Sequence, residues 1–348
     1  MVNLVITKEN NGMKYLKDEE RKLLPANIYK IYKEYVDETI ASRKLALLLD
    51  TFKQTIHFFG CVFLSEYLYD ENISEKVKCT VNTMIPALAR PSLGTWNGFV
   101  REYYKNRNVE EVFIKNFKDC MKQLMSLKEL ETYKGRFRND IKQMNVFDEI
   151  ISLRNNIAHG GMVPDEKEAI ELVKIYSTYL ERILQGFLTI FREYGVVKLT
   201  ELEDNYDSYT AYFDIINYDE KYDERYCVVY DCDEKEKYFG DFDEPVGKLY
   251  LLCKDKRLLK LEEYLLEIPN DENHEDYYLF DGLGNKDVVY IGMRYKTFIA
   301  KYLGDIQRKF KERGASTKWT TKSFDVEAFK NTLDNLVDGS IQLHVDSQ

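Results

Sequence analysis

The sequence has little glycine, proline and histidine, and this scarcity limits what the chain can be. Its 348 residues include 17 Gly, 6 Pro and 4 His, against 27 Tyr and 19 Phe. So few glycines and prolines argue against long linkers, and a hydrophobic content of 44% argues against disorder over most of the length. We therefore expect well-packed helices and strands, with enough chain for two ordinary domains.

The cysteines and the charge exclude further classes of protein. Six cysteines are scattered without the Cys-x-x-Cys spacing of a zinc site, so we expect reduced thiols in a cytoplasmic protein, with no metal and no other cofactor. A net charge of −10 disfavours a protein that coats nucleic acid, although a local basic groove would still suffice for an enzyme that cuts RNA. Lysine and arginine do concentrate between Arg101 and Lys142, and tyrosines there would suit base stacking.

Long uncharged runs are also missing. The nearest approach to a membrane span, from Thr55 to Leu68, is interrupted by His57 and Glu66 and stays short of the about 18 apolar residues that a span needs. The N-terminus lacks a basic-then-apolar leader. We therefore expect no membrane association, and we interpret His57 as a core histidine.

Hydrophobic periodicity divides the chain into a helical part and a β-rich part. Apolar residues recur at helical spacing within residues 26–70, 96–103, 108–135, 145–159 and 164–195. From about residue 196, short aromatic and β-branched bursts alternate with turn residues, which is typical of strands. Two more helices are predicted at 295–313 and 325–336. The prediction is an α+β chain: a helical domain over 1–197, a β-rich domain over 198–335, and a tail over 336–348.

One predicted helix, from Asn145 to the Gly160-Gly161 break, carries the residues of chemical interest. At about 100° per residue, its apolar side chains (Val146, Ile150, Leu153 and Ile157) form one stripe. Asn155 and His159 are four residues apart and share a face roughly opposite that stripe. Arg154 lies at the stripe's edge, where its aliphatic stem can pack while the guanidinium reaches outward.

These three residue types suit cleavage of RNA without a metal. An imidazole titrates near neutrality and can serve as general base or acid, so His159 is the candidate for proton transfer. A guanidinium is a planar donor for phosphate, so Arg154 would stabilise the developing charge. Asn155 would orient the imidazole or the phosphate. Because transesterification needs both a base and an acid, two copies of the helix in a two-fold dimer would complete the site.

The segment Arg154-Asn155-Asn156-Ile157-Ala158-His159, after an apolar helix and before glycine and a long last helix, resembles the Arg-x(4–6)-His motif of the HEPN superfamily. The order of predicted helices over residues 26–195 fits as well. The resemblance implies a dimeric, metal-independent endoribonuclease in which Arg154 and His159 form the catalytic pair and Asn155 is the polar residue after the arginine. Some members have a tyrosine one turn after the histidine, whereas Val163 stands there in this chain.

Other interpretations of the same residues remain open. Arg154 would instead pair with Glu149 or Asp148, while His159 caps the helix C-terminus, where a cation suits the dipole. A HEPN fold would also serve as a non-catalytic dimer that binds nucleotide, RNA or a partner, or as a scaffold subunit. Under the nuclease interpretation the chain is a toxin or antiphage effector acting on cellular RNA. Its β-rich domain then senses a trigger or contacts a regulatory or antitoxin protein.

Overall fold

The computed structural model describes residues 15–70, 73–89, 91–107, 112–126, 145–159, 163–217, 226–240, 245–261, 263–269, 275–283, 288–292 and 297–300. Its helices are α1 (Asp18–Arg21), α2 (Ala26–Asp37), α3 (Ala41–Tyr69), α4 (Glu75–Asn82), the 3-10 helix η1 (Ile85–Ala89), α5 (Leu93–Asn106), α6 (Phe117–Met125), α7 (Val146–His159), α8 (Glu166–Phe191) and α9 (Cys232–Phe239). Helices thus dominate up to α8, and antiparallel strands follow, which confirms the predicted α+β class.

The strands form two sheets. They are β1 (Tyr194–Asp204), β2 (Ser208–Ile215), β3 (Tyr226–Asp231), β4 (Leu249–Cys253), β5 (Leu258–Lys260), β6 (Leu265–Pro269), β7 (Glu275–Leu283), β8 (Val288–Ile291) and β9 (Thr297–Ala300). The first sheet has the order β3-β2-β1-β4-β5 and the second β6-β7-β8-β9, with every neighbouring pair antiparallel.

The chain divides into two compact units. The first unit comprises residues 1–59 and 107–262, and the second comprises 60–106 and 263–348. This grouping differs from the predicted division at residue 197, because the first sheet belongs with the helices of the first unit. The amide of Ala26 in α2 donates to the carbonyl of Ile216, 3.2 Å away. The Tyr194 hydroxyl, at the start of β1, donates to the Phe113 carbonyl at 3.0 Å.

Aromatic rings fill the helical core of the first unit. Phe59 of α3 lies 4.5 Å from Phe187 of α8 and 4.9 Å from Phe117 of α6, measured between ring centroids. Gly186 lets α6 approach α8, since a Cβ there would lie 2.8 Å from a methyl carbon of Leu124. Edge-to-face and offset ring contacts of this kind add to the hydrophobic stabilisation of the core.

Helix α3 contributes its residues up to Phe59 to this core. Its length and composition alone would let it cross a membrane, but most of the apolar stretch is buried within the protein, as in many core helices. His57 is fully buried, at 0% exposure, in agreement with its interpretation as a core histidine.

Three predicted helix boundaries were wrong. Residues 297–300 form strand β9 rather than a helix, because the run Thr-Phe-Ile pairs with the β-branched strand β8. Helix α6 begins at Phe117, after a turn, rather than near residue 108. Helix α8 ends at Phe191, and Gly195, predicted as its terminator, lies in β1 opposite Leu252. The second predicted C-terminal helix, 325–336, lies outside the described residues.

Candidate active site at the end of helix α7

Helix α7 begins with a side-chain cap. The Asn145 carbonyl oxygen Oδ1 accepts hydrogen bonds from the backbone amides of Phe147 and Asp148, each at 3.1 Å. Its Nδ2 donates to the Asp148 carboxylate. An asparagine cap satisfies amides that would otherwise lack a partner in the first helical turn, and this explains why the helix begins where the sequence predicted.

The apolar stripe of α7 faces the core of the first unit. Val146, Ile150 and Leu153 are buried, and Ile157, the last member of the predicted stripe, is half-buried. The Phe147 ring lies 6.0 Å from that of Phe52 and 6.4 Å from that of Phe187. This packing fixes the helix along its first three turns and leaves its last turn more open to solvent.

Arg154 and Asn155 lie at this more open end, and both are half-buried. The Arg154 Nη1 donates to the Asn155 Oδ1 at 3.4 Å, near the limit for a hydrogen bond and therefore weak. Within the described residues the guanidinium makes no ion pair, so the alternative pairing with Glu149 or Asp148 is not observed there. Among the described residues, most donors of this guanidinium therefore have no acceptor.

Helix α7 includes His159 as its last residue. The His159 side chain and residues 160–162, which contain the predicted Gly160-Gly161 break, lie outside the described residues. The structure therefore brings Arg154 and Asn155 together on one helical turn and extends the same helix to the backbone of His159. The predicted sharing of one face by Asn155 and His159 follows from that helical backbone alone.

The next helix starts close behind in sequence. Asp165 caps α8: its carboxylate accepts from the Glu168 amide at 2.9 Å, while the Glu168 carboxylate accepts from the Asp165 amide at 3.0 Å. This reciprocal capping box confirms the predicted start after Pro164. Val163, which stands where some HEPN proteins have tyrosine, is 78% exposed.

The predicted RNA track along residues 101–142 receives little support from its described part. Lys105 pairs with Glu102 and Lys122 pairs with Asp119, each at 3.4 Å and three residues away on the same helix. Tyr103 is fully buried and cannot stack on a base. Tyr104 is half-buried, and Arg107 is buried at 3% exposure. The basic residues from Lys128 to Lys142, and Tyr133, lie outside the described residues.

The strand-forming part of the chain offers no second candidate site among the described residues. Within the described ranges, no group of three or more His, Cys, Asp or Glu side chains is arranged to hold a metal ion. The acidic run that follows Asp231 forms helix α9, which begins with a capping box between Asp231 and Glu234. Gly282 of β7, which has a φ of 121°, lies beside a bulge in the antiparallel pairing with β8.

Comparisons with protein-family models, with curated proteins and with solved structures gave no match to this chain.

Proposed function

We propose that this chain is a metal-independent endoribonuclease of HEPN type whose active site lies at the end of α7. The observation that carries the proposal is the state of Arg154: a half-buried guanidinium that touches an amide oxygen and, among the described residues, no carboxylate. Guanidinium–carboxylate pairs are the usual way in which proteins use a structural arginine. An arginine without one is suited to a phosphate.

The reaction requires two proton transfers. A base removes the proton from a ribose 2′-hydroxyl, and the 2′-oxygen attacks the adjacent phosphorus. The bond from phosphorus to the 5′-oxygen breaks, an acid returns a proton to that oxygen, and a 2′,3′-cyclic phosphate remains. In this proposal His159 transfers the protons, Arg154 stabilises the charge on the non-bridging oxygens, and Asn155 orients its neighbours.

One chain supplies a single histidine to this site, whereas the reaction needs a base and an acid. A two-fold homodimer that places two α7 ends against one RNA strand supplies both, together with two guanidinium groups. The half-exposed last turn of α7 supports this arrangement, because a fully buried turn could meet neither a second copy nor RNA.

The biological setting follows from that chemistry as a further part of the proposal. A ribonuclease with a composite site suits a cytoplasmic toxin or antiphage effector, which stays harmless until two copies meet. Strands β1 to β9 then provide the surface for a trigger or for a regulatory or antitoxin protein.

The test is cleavage of a defined RNA by the purified chain in the presence of EDTA. Arg154→Ala and His159→Ala should each reduce the rate at least about a hundredfold, since removal of one charge-stabilising or proton-transferring group typically costs this much. Arg182→Ala, which removes an exposed arginine from α8, should cleave like the parent. Light scattering should give the mass of a dimer for all four proteins.

Three results would reject the proposal or redirect it. Cleavage abolished by EDTA would exclude the metal-free mechanism. A monomer at micromolar concentration would exclude the composite site. RNA binding that depends on Arg154, without cleavage, would identify a non-catalytic binding module.

A further inference from the structure

A buried network ties the beginning of the described chain to the middle of α8. Glu181 of α8 is 5% exposed, and Leu16, in the segment before α1, is 1% exposed. The Leu16 amide donates to the Tyr32 hydroxyl oxygen at 2.9 Å and, more distantly, to the Glu181 Oε2 at 3.2 Å. On the other side of the same residue, the Arg21 Nε donates to the Leu16 carbonyl at 2.8 Å. The segment around Leu16 is therefore held on both sides of its backbone.

Glu181 is buried without an ion-pair partner among the described residues. The Tyr32 oxygen lies 2.9 Å from both carboxyl oxygens of Glu181. A phenol is a neutral donor with one hydrogen, which the two carboxyl oxygens share. Because no opposite charge is in contact with it, a carboxylate at this position is less favourable than a carboxylic acid.

The surroundings of Glu181 also favour the neutral form. Burial raises the pKa of Glu181 to about 8, although the hydrogen bonds from Tyr32 and Leu16 act in the opposite direction. The nearby cation that lowers the pKa of this carboxyl is Arg21, whose guanidinium bonds to Leu16 and to Asp18, the latter at 3.2 Å. The titratable groups facing the network are Tyr15 before α1, Glu20 and Arg21 of α1, Tyr32 and Tyr35 of α2, and Lys44 of α3.

The ammonium group of Lys44 binds at the end of α2. Its Nζ donates to the carbonyl oxygens of Tyr35 and Glu38, at 2.9 and 2.8 Å. The same ammonium lies over the rings of Tyr15 and Tyr35 at 5.4 and 5.1 Å from their centroids.

We propose that Glu181 and Tyr32 form a proton-operated latch, which holds the segment around Leu16 against α8 while the carboxyl is protonated and releases it when the proton is lost. With the proton gone, an anion is left in the interior without an ion-pair partner among the described residues. The segment opens because opening lets water reach that anion. The latch does not depend on the nuclease site, since none of its residues belongs to α7.

The sign of the pH dependence follows from linkage. In the open state the carboxyl titrates near its usual pKa of about 4.3, and in the closed state near 8. At any pH between these two pKa values, Glu181 therefore keeps its proton in the closed form and has lost it in the open form. Closure is most favourable at acidic pH. It weakens by about tenfold per pH unit as the pH rises toward 8, and it becomes constant above that value.

The latch can be tested by hydrogen exchange of the full-length protein between pH 6 and pH 9, with rates corrected for the intrinsic pH dependence of exchange. Protection of a peptide covering residues 15–24 should fall about tenfold per pH unit from pH 6 to pH 8 and then level off. Glu181→Gln keeps the shape of the side chain and has no proton to lose, so its protection should be independent of pH. Glu171→Gln, at an exposed glutamate of the same helix, should behave like the parent.

Tyr32→Phe provides a second, independent variant. Removing the phenol takes away a donor to the carboxylate, so the pKa of Glu181 should rise. The pH at which the protection of residues 15–24 becomes constant should therefore be higher than in the parent. Equal pH dependence in the parent and in Glu181→Gln would overturn the latch, and so would protection in the parent that does not change with pH. A Tyr32→Phe profile that levels at lower pH would also contradict it.

Discussion

The two ends of helix α7 use their polar side chains in opposite ways. At the first end, Asn145 engages both atoms of its amide in capping, and neighbouring Phe147 is packed among other rings. At the last end, Arg154 and Asn155 are half-buried and reach each other through one long contact. The first turn of α7 therefore uses its polar groups to complete the fold. Among the described residues, the last turn leaves most donors of the Arg154 guanidinium without an acceptor, which is why we propose the active site there.

The largest loss of stability should come from a substitution at the packed, N-terminal end of α7. Phe147→Ala removes a fully buried ring, and we expect the free energy of unfolding to fall by about 3–5 kcal/mol. Phe147→Leu, which keeps most of the volume, should cost much less. Urea denaturation of the two variants and the parent would measure this. A loss under 1 kcal/mol for the alanine variant would mean that the beginning of α7 is not part of the core.

Removing the Asn145 cap should lower the stability by a smaller amount. Asn145→Ala leaves two backbone amides of the first turn without an acceptor, which should lower the free energy of unfolding by about 1 kcal/mol. Asn145→Ser, which retains a capping oxygen, should restore most of it. If serine and alanine were equally destabilising, the cap would not be what starts the helix.

The smallest effect on stability is expected at the end of α7 that carries Arg154. Arg154→Ala removes one long hydrogen bond from a half-buried position, so the free energy of unfolding should change by no more than about 0.5 kcal/mol. Thermal unfolding monitored by circular dichroism would test this. A loss as large as that of the cap variant would show that Arg154 stabilises the fold, and the contrast between the two ends would disappear.

Local signals explain which elements could be predicted. Some signals need only a few neighbouring residues: the helical period of α7, the Asp165–Glu168 capping box, and the aromatic and aliphatic runs of β2, β4 and β8. The predicted elements formed there. The capping box Asp231–Glu234 marks helix α9 in the same way, but the alternation of short apolar bursts with turn residues after residue 196 predicted strands and turns there. Strand β9 was missed because its four residues acquire their conformation from pairing with β8.

Contacts between residues far apart in the chain could not be predicted from the sequence. The grouping of the first sheet with the helices depends on contacts such as that of Ala26 with Ile216, which no local pattern announces. The Glu181–Tyr32 network joins residues that are 149 positions apart. A glutamate within the apolar stripe of α8 indicates that a polar group in the core binds it. That group, Tyr32, could be identified only from the fold. The pairing of Arg154 with Asn155, by contrast, is local and was within reach.

The most direct measurement is the chemical identity of the RNA ends left by the purified chain in EDTA, determined by mass spectrometry on a short RNA of known sequence. The account predicts fragments ending in a 2′,3′-cyclic phosphate, lost together in Arg154→Ala and His159→Ala and retained in Arg182→Ala. Intact RNA with the parent protein, or fragments that Arg154→Ala produces equally well, would contradict it.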